Sequence, residues 1–228
     1  MSNRDYWRRK KCFKRSCRKT RAKKVFLEEE PKVAAIGSGL DISKPNGNMI
    51  IDIGGGTTDI AILSLGDIVI SKSLKIAGNS FDDDIRDYIK DKYKLLIGDR
   101  TSCNIKHEIG TVYKEEKKRS MKVKGRDLLT GLPRTISIDS DEVMHALKNN
   151  VNKIIEAAKL VLEETPPELS ADIMENGIML TGGGALIRGI DKIFHERLEV
   201  PVTISANPLT SVVEGTGIML NNLSLLKR

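Results

Sequence analysis

"MIIDIGGGTTDIAIL", Met49 to Leu63, sets three consecutive glycines between two runs of β-branched and aliphatic residues. Glycine loses more backbone freedom on folding than any other residue, so three in a row imply a local requirement. Two requirements fit. One is a tight turn between strands. The other is a loop shaped around a phosphate, where backbone N–H groups approach an anion with no Cβ in the way.

Outward from this loop, "MIIDI", "TDIAILSL" and "DIVISKSLKI" are strand-like runs separated by the glycines and by Leu65-Gly66. They predict an antiparallel meander. Upstream, "KVAAIGSGL" reads as a short helix ended by Gly37 and Gly39, followed by a turn at Pro45-Asn46-Gly47. Downstream, a helix is predicted from about Ser80, with Ser80 as N-cap and Phe81, Ile85, Tyr88 and Ile89 as its apolar stripe. "DRTSCNIKHEI" predicts a shorter helix with Ile105 and Ile109 on one face, and residues 110–118 read as a loop. "RSMKVKG" and "RTISI" read as strands around "RDLLTGLP". A long helix is predicted from Asp139, a cap with Glu142 three residues on, carrying the stripe Val143, Leu147, Val151, Ile154, Ala158 and Val161. Pro166 and Pro167 stop it. A short helix to Gly177, the strand "GIML", the helix "DKIFHERL", the strand "PVTIS" and a last helix interrupted by Gly215 and Gly217 complete the chain. Strands and helices mix, so the fold class is α/β with a mixed sheet.

The first loop has a companion. "GIML" runs into Thr181-Gly182-Gly183-Gly184-Ala185 and then a predicted helix, whose N-terminal dipole would add to the backbone donors. Two triple-glycine loops at strand ends favour the phosphate reading. The chain has no GxxxxGK[ST] and no GxGxxG between a strand and a helix, which excludes a P-loop and disfavours a dinucleotide site. In the first loop the hydroxyls of Thr57 and Thr58 are further candidate donors. Asp52 and Asp59 would repel a phosphate but suit a hydrated Mg²⁺. No residue is assigned as a direct metal ligand.

Composition narrows the class. Hydrophobic content is 39% against 30% charged, with no apolar run near membrane-spanning length and no secretory segment. Cys12, Cys17 and Cys103 lack metal-ligand spacing and suit a reducing, cytoplasmic setting. Net charge is +7, yet residues 1–24 hold twelve of the 38 bases and one of the 31 acids, leaving 26 bases against 30 acids, a net of −4, in the rest. The basicity therefore belongs to one poorly patterned lead-in. Such an arm could meet an anionic membrane or nucleic acid, or have no partner.

"IDIGGGTTDIAILSLGDIV" resembles the second phosphate loop of the actin–sugar kinase–heat-shock chaperone ATPase superfamily. "EEPKVAAIGSGLDI" and "NPLTSVVEGTGIML" resemble its two connecting segments, "IGDRTSCNIKHEIG" its adenosine-side helix, and "TPPELSADIMENGIMLTGGGALIRGID" its adenosine loop. "GRDLLTGLPRTISI" is similar to a stretch typical of the MreB family of bacterial actin homologues, including Mbl-like members. The motifs occur in the family's order from about Lys19 to the end.

The resemblance implies an actin-like (ribonuclease H-like) ATPase fold and an ATP-binding, filament-forming protein of the cell-shape cytoskeleton. Only the family's C-terminal two-thirds is matched, and no first phosphate hairpin is found in residues 1–24. The expected layout is a basic lead-in (1–24), a remnant of the first domain (25–48), a second-domain core (49–76 and 140–210), an inserted small subdomain (77–139) and a C-terminal helix returning to the first domain (211–228). By the same resemblance, Gly54, Gly55, Gly56 and Thr57 would face the phosphates of ATP and its Mg²⁺. Gly182, Gly183, Gly184 and Ala185 would line the adenosine side, as would Ser102, Cys103, Asn104 and Ile105. Cys103 stands where family members often carry a glutamate suited to ribose. Glu30 and Thr57 match the pair that positions the attacking water. Hydrolysis by this chain alone is expected to be weak. The implied partners are further copies or full-length MreB paralogues in a filament, with peripheral membrane contact possible through the lead-in. No nucleic acid partner is expected, since that reading rests on residues 1–24 alone. The alternative function is a small chaperone-like or sugar-kinase-like ATPase, which would need a substrate module that no stretch supplies.

Overall fold

A computed structural model describes residues 24–222. The basic lead-in falls almost wholly outside the described residues. The three strand-like runs form β1 (Asn48–Ile53), β2 (Thr58–Ser64) and β3 (Asp67–Leu74), an antiparallel meander. Two later strands, β7 (Ile178–Thr181) and β8 (Val202–Ile204), join β1 in parallel, giving the order β3-β2-β1-β7-β8. The sheet is therefore mixed, as the sequence predicts.

Side-chain alternation along β1 explains why both faces of the sheet are covered. Met49, Ile51 and Ile53 point into the larger core, while Ile50 points into a smaller one. The larger core is closed by α2 (Gly78–Tyr93) and α4 (Ser140–Glu163), through Phe81, Ile85, Ile89 and the stripe Val143 to Val161. The predicted capping box starts α4. Asp139 accepts from the Glu142 amide at 3.0 Å, and Glu142 accepts from the Asp139 amide at 3.0 Å. The smaller core is made by α1 (Glu30–Gly37) and the last helix, α7 (Ser211–Asn221). Gly215 does not interrupt α7. A Cβ there would lie 2.0 Å from the Val33 carbonyl oxygen, so this glycine lets α1 and α7 cross backbone to backbone.

A second sheet lies between α2 and α4 in sequence. It pairs β4 (Leu95–Leu96), β5 (Ser120–Asp127) and β6 (Pro133–Asp139) antiparallel, and α3 (Asp99–Ile109) packs beside it. The two-residue β4 carries too little pattern to be read from sequence. Two further helices, α5 (Pro167–Asn176) and α6 (Ile190–Leu198), flank β7. Among the described residues no helix is long and apolar enough to cross a membrane.

Candidate functional site

Parallel pairing of β1 with β7 puts Asp52 opposite Thr181, so both glycine loops leave the same edge of the sheet side by side. The carboxyl edge of parallel strands is where open α/β sheets bind ligands. A cleft of about 490 Å³ opens there, lined by Gly54, Gly55, Gly183 and Gly184 from the loops. Gly78, Asn79 and Asp82 of α2 line it too, with Cys103, Lys106 and His107 of α3, and Arg188 and Leu209. The volume suits a small molecule. A larger cavity of about 750 Å³, between residues 112–116, α4 and α6, touches neither loop and holds charges of both signs.

The first loop is pinned from outside. The Gly54 amide donates to the Thr57 carbonyl at 2.9 Å, closing a turn. The Gly54 and Gly55 carbonyls accept from the Gly78 and Asn79 amides at 3.0 and 2.8 Å. These bonds start α2 at Gly78, so Ser80 is not its cap: the loop itself satisfies the first amides of the helix. With the carbonyls held by α2, the Gly55 and Gly56 amides are left without a partner among the described residues. Glycine amides turned outward form a concave anion receptor. The Thr58 hydroxyl is not available to a ligand, because it is buried and donates to the Ile76 carbonyl at 2.7 Å. Thr57 stays exposed.

The second loop differs from its expected form. It enters a single 3₁₀ turn, Gly183–Leu186, and the α-helix starts only at Ile190, after Gly189 at φ +75°. No helix dipole of α6 therefore bears on Gly182 to Gly184. Ala185 is fully buried in the core, and Gly182 does not line the cleft.

On α3 the predicted run Ser102 to Ile105 splits by helical geometry. Ser102 is buried and donates to the Asp99 carbonyl at 2.9 Å, Ile105 enters the core, and Asn104 is exposed outside the cleft. Cys103 does line the cleft, with Lys106 and His107 one turn on. The Cys103 sulfur lies 3.8 Å from His107 Nε2. Lys106, missed in the sequence, donates to the Gly78 carbonyl at 2.8 Å and pairs with Asp82 at 2.9 Å. It thus ties α3 to the mouth of the first loop with a largely desolvated cation. Arg188, also missed, donates to the Gly110 carbonyl at 3.2 Å, which sets its guanidinium at the cleft wall. The signal for both was spacing: i+3 from Cys103, and the first basic residue after the second glycine loop, three positions past Ala185.

Carboxylates gather behind the first loop. Asp52 and Asp59 sit directly opposite each other on β1 and β2, an arrangement that repels. Asp52 is buried and its pKa is pushed up to about 6, first by desolvation and then by the charges of Glu30 and Asp59. Glu30, at the exposed start of α1, therefore stands near Asp52 but outside the cleft lining. Among the described residues no group of three or more His, Cys, Asp or Glu is placed to hold a metal ion by itself. A repelling carboxylate pair, one member of which holds its proton more tightly than usual, does fit the water shell of a hard cation that arrives with a phosphate.

The strand order, the crossing of α1 with α7 and the two glycine loops at one sheet edge define an actin-like α/β protein. The family model described as MreB/Mbl protein matches residues 8–228, and the chain belongs to that family. It is 56% identical to the cell shape-determining protein Mbl of Bacillus cereus over 218 residues, covering 96% of this chain and 66% of that one. The crystal structure of MreB5 of Spiroplasma citri bound to ADP superposes with a TM-score of 0.91 at 47% identity, over 94% of this chain and 65% of MreB5. A MamK double helical filament matches at 25% identity and a TM-score of 0.71, over 85% and 59% of the two chains. The chain thus spans just under two thirds of the length of these relatives.

Proposed function

We propose that this chain is an actin-like, cell-shape cytoskeletal protein that binds ATP or ADP in the cleft and assembles with copies of itself or with longer family members. One observation carries the reading: two glycine loops, distant in sequence, share one cleft, and the amide of Gly55, which lines it, is unengaged among the described residues, as is that of Gly56, which lies with Thr57 just outside the lining. MreB5 is crystallised with ADP, and MamK forms a filament, which supports both halves of the proposal.

In this reading Gly55 and Gly56 offer backbone donors to the phosphates and Thr57 adds a hydroxyl, while Gly54, its amide spent on the Thr57 carbonyl, borders them without donating. Lys106 and Arg188 neutralise charge from the α3 side, while Gly183, Gly184 and Cys103 border the nucleoside. Asp52 and Asp59 would hold the waters of Mg²⁺, which on binding would neutralise phosphate charge. Glu30, near Asp52, is the residue suited to orient a water. Its position outside the cleft makes turnover slow. The paired α1 and α7, apart from the main core, support assigning 25–48 and 211–228 to a first-domain segment, with 77–139 as an inserted unit.

The test is titration of the chain with a fluorescent ATP analogue, with phosphate release and pelleting measured in parallel. Saturable binding displaced by ADP, with weak or undetectable release and nucleotide-dependent pelleting, is expected. Absence of both binding and pelleting would refute the proposal. Rapid turnover would instead favour an enzyme of the chaperone or sugar-kinase type.

A further inference from the structure

Two side chains on the α3 wall of the cleft carry chemistry that neither phosphate nor adenosine binding requires. Cys103 is the single cysteine among the described residues, and His107 follows it by four positions. On a helix that spacing stacks two side chains on one face. The face is the one turned to the cleft, because Ser102, Ile105 and Ile109 occupy the buried side. Spacing among the three cysteines gives no metal motif, but the helix sets a histidine beside this one, with His107 Nε2 3.8 Å from the sulfur.

That separation suits one metal ion. Zinc bonds sulfur at about 2.3 Å and imidazole nitrogen at about 2.0–2.1 Å, which at a tetrahedral angle sets the two donors about 3.6 Å apart. The α3 pair is within about 0.2 Å of this span, a difference that a small side-chain rotation closes. Thiolate with imidazole is a soft to borderline donor set, which selects Zn²⁺ over the hard Mg²⁺. The carboxylates suited to magnesium, Asp52 and Asp59, belong to β1 and β2, so the two ions would share no protein ligand.

The surrounding charges leave the pair free to coordinate. Lys106 is turned toward α2, where Asp82 at 2.9 Å and the Gly78 carbonyl at 2.8 Å engage its ammonium. Arg188 donates to the His107 and Gly110 carbonyls at 3.4 and 3.2 Å, so it holds the last turn of α3 and not the imidazole ring. His107 is exposed and Cys103 half-buried, which gives an ion a path from solvent. The other histidines are placed differently: His145 packs edge-on to Tyr88, and His195 Nδ1 lies 2.9 Å from the Val200 carbonyl. Two protein donors leave two tetrahedral positions, and among the described residues no third His, Cys, Asp or Glu completes the set.

We propose that Cys103 and His107 form a Zn²⁺ site in the wall of the cleft, completed by water or by a nitrogen or oxygen donor of the bound nucleotide. Binding releases the thiol proton to solvent and forms one Zn–S and one Zn–N bond, with no change of oxidation state. The ion adds positive charge beside the ligand, so zinc and ADP each tighten the other by the same factor. The metal site stands on Cys103 and His107 alone, and its coupling to ADP rests on the nucleotide reading above.

Co²⁺ binding, read by the thiolate-to-cobalt charge-transfer band, tests the site. The full chain is used with Cys12→Ser and Cys17→Ser, so that the thiols of the lead-in do not contribute. This parent is expected to give the band, to lose it when Zn²⁺ is added, and to keep it in excess Mg²⁺. A further Cys103→Ser should abolish it. His107→Ala should raise the Co²⁺ dissociation constant about tenfold or more, a loss seen even for outer partners of a bound metal. Metal-free thermal melts should match across the variants, since both side chains border the open cleft. No band, a band that survives Cys103→Ser, or equal affinity in His107→Ala would overturn the site. Equimolar Zn²⁺ is then expected to tighten ADP about fivefold or more in the parent and in neither variant. Zinc that binds without tightening ADP would refute the coupling. ADP that binds neither with nor without zinc, beside an intact cobalt band, would sink the nucleotide reading and leave the metal site standing.

Discussion

The two glycine loops read alike in sequence, yet their glycines answer different demands. In the second loop a Cβ on Gly184 would lie 2.2 Å from Ile53 Cγ2, and one on Gly182, at φ +83°, 2.4 Å from the Asp52 carboxylate. These glycines let β7 run close beside β1. In the first loop a Cβ on Gly56 would meet nothing within 4 Å, and one on Gly55 only Asn79 Oδ1 at 3.6 Å. There the missing side chains leave space over unengaged amides. Packing explains one triplet and access explains the other.

Substitutions should separate the two. The largest effect is expected for Gly182→Ala, which adds left-handed strain of about 1–2 kcal/mol to overpacking of about 1–3 kcal/mol. Urea unfolding should report a loss of that combined order, with nucleotide affinity falling only as a consequence. Lys106→Met is expected to cost about 1–3 kcal/mol, since it leaves the Asp82 carboxylate and the Gly78 carbonyl without their shared donor. It should also weaken nucleotide binding at equal folded fraction, because the anchor at the mouth of the first loop is gone.

Asp52 gives a pH signature between these extremes. Its folded-state pKa, about 6, lies above the ordinary carboxylate value of 3.8. The folded chain therefore holds this proton more tightly, and stability from this group is greatest below about pH 4 and falls as pH rises to about 6. Asp52→Asn should abolish that decline and raise stability at pH 7 by up to about 3 kcal/mol, read from urea melts at pH 4.5 and 7. Added Mg²⁺ with nucleotide should favour the wild type instead. The smallest stability effect belongs to Gly56→Ala, expected within about 0.5 kcal/mol of wild type. Its measurable consequence is a several-fold loss of nucleotide affinity, the reverse of the Gly182→Ala pattern.

Much of the fold was legible because its signals are local. The meander, the Asp139–Glu142 box and the α4 stripe depend on residues a few positions apart, and each forms as read. What escaped was set from a distance. The start of α2 is fixed by carbonyls of Gly54 and Gly55, more than twenty residues upstream, so Ser80 only mimics a cap. The second loop turns through 3₁₀ because Gly189 reorients the chain before α6 can begin. The site was legible in its glycines and less so on α3. A run of four consecutive helical residues cannot face one cleft, and the stripe of Ile105 and Ile109 already marked the buried side. Respecting that period would have led from Cys103 to Lys106 and His107.

The most direct measurement is amide chemical-shift perturbation on titrating the ¹⁵N-labelled chain with ADP. Saturable shifts are expected that are largest at Gly55 and Gly56, with smaller ones at Gly183 and Gly184. Shifts largest at the second loop, or confined to the cavity beside His145, would contradict it.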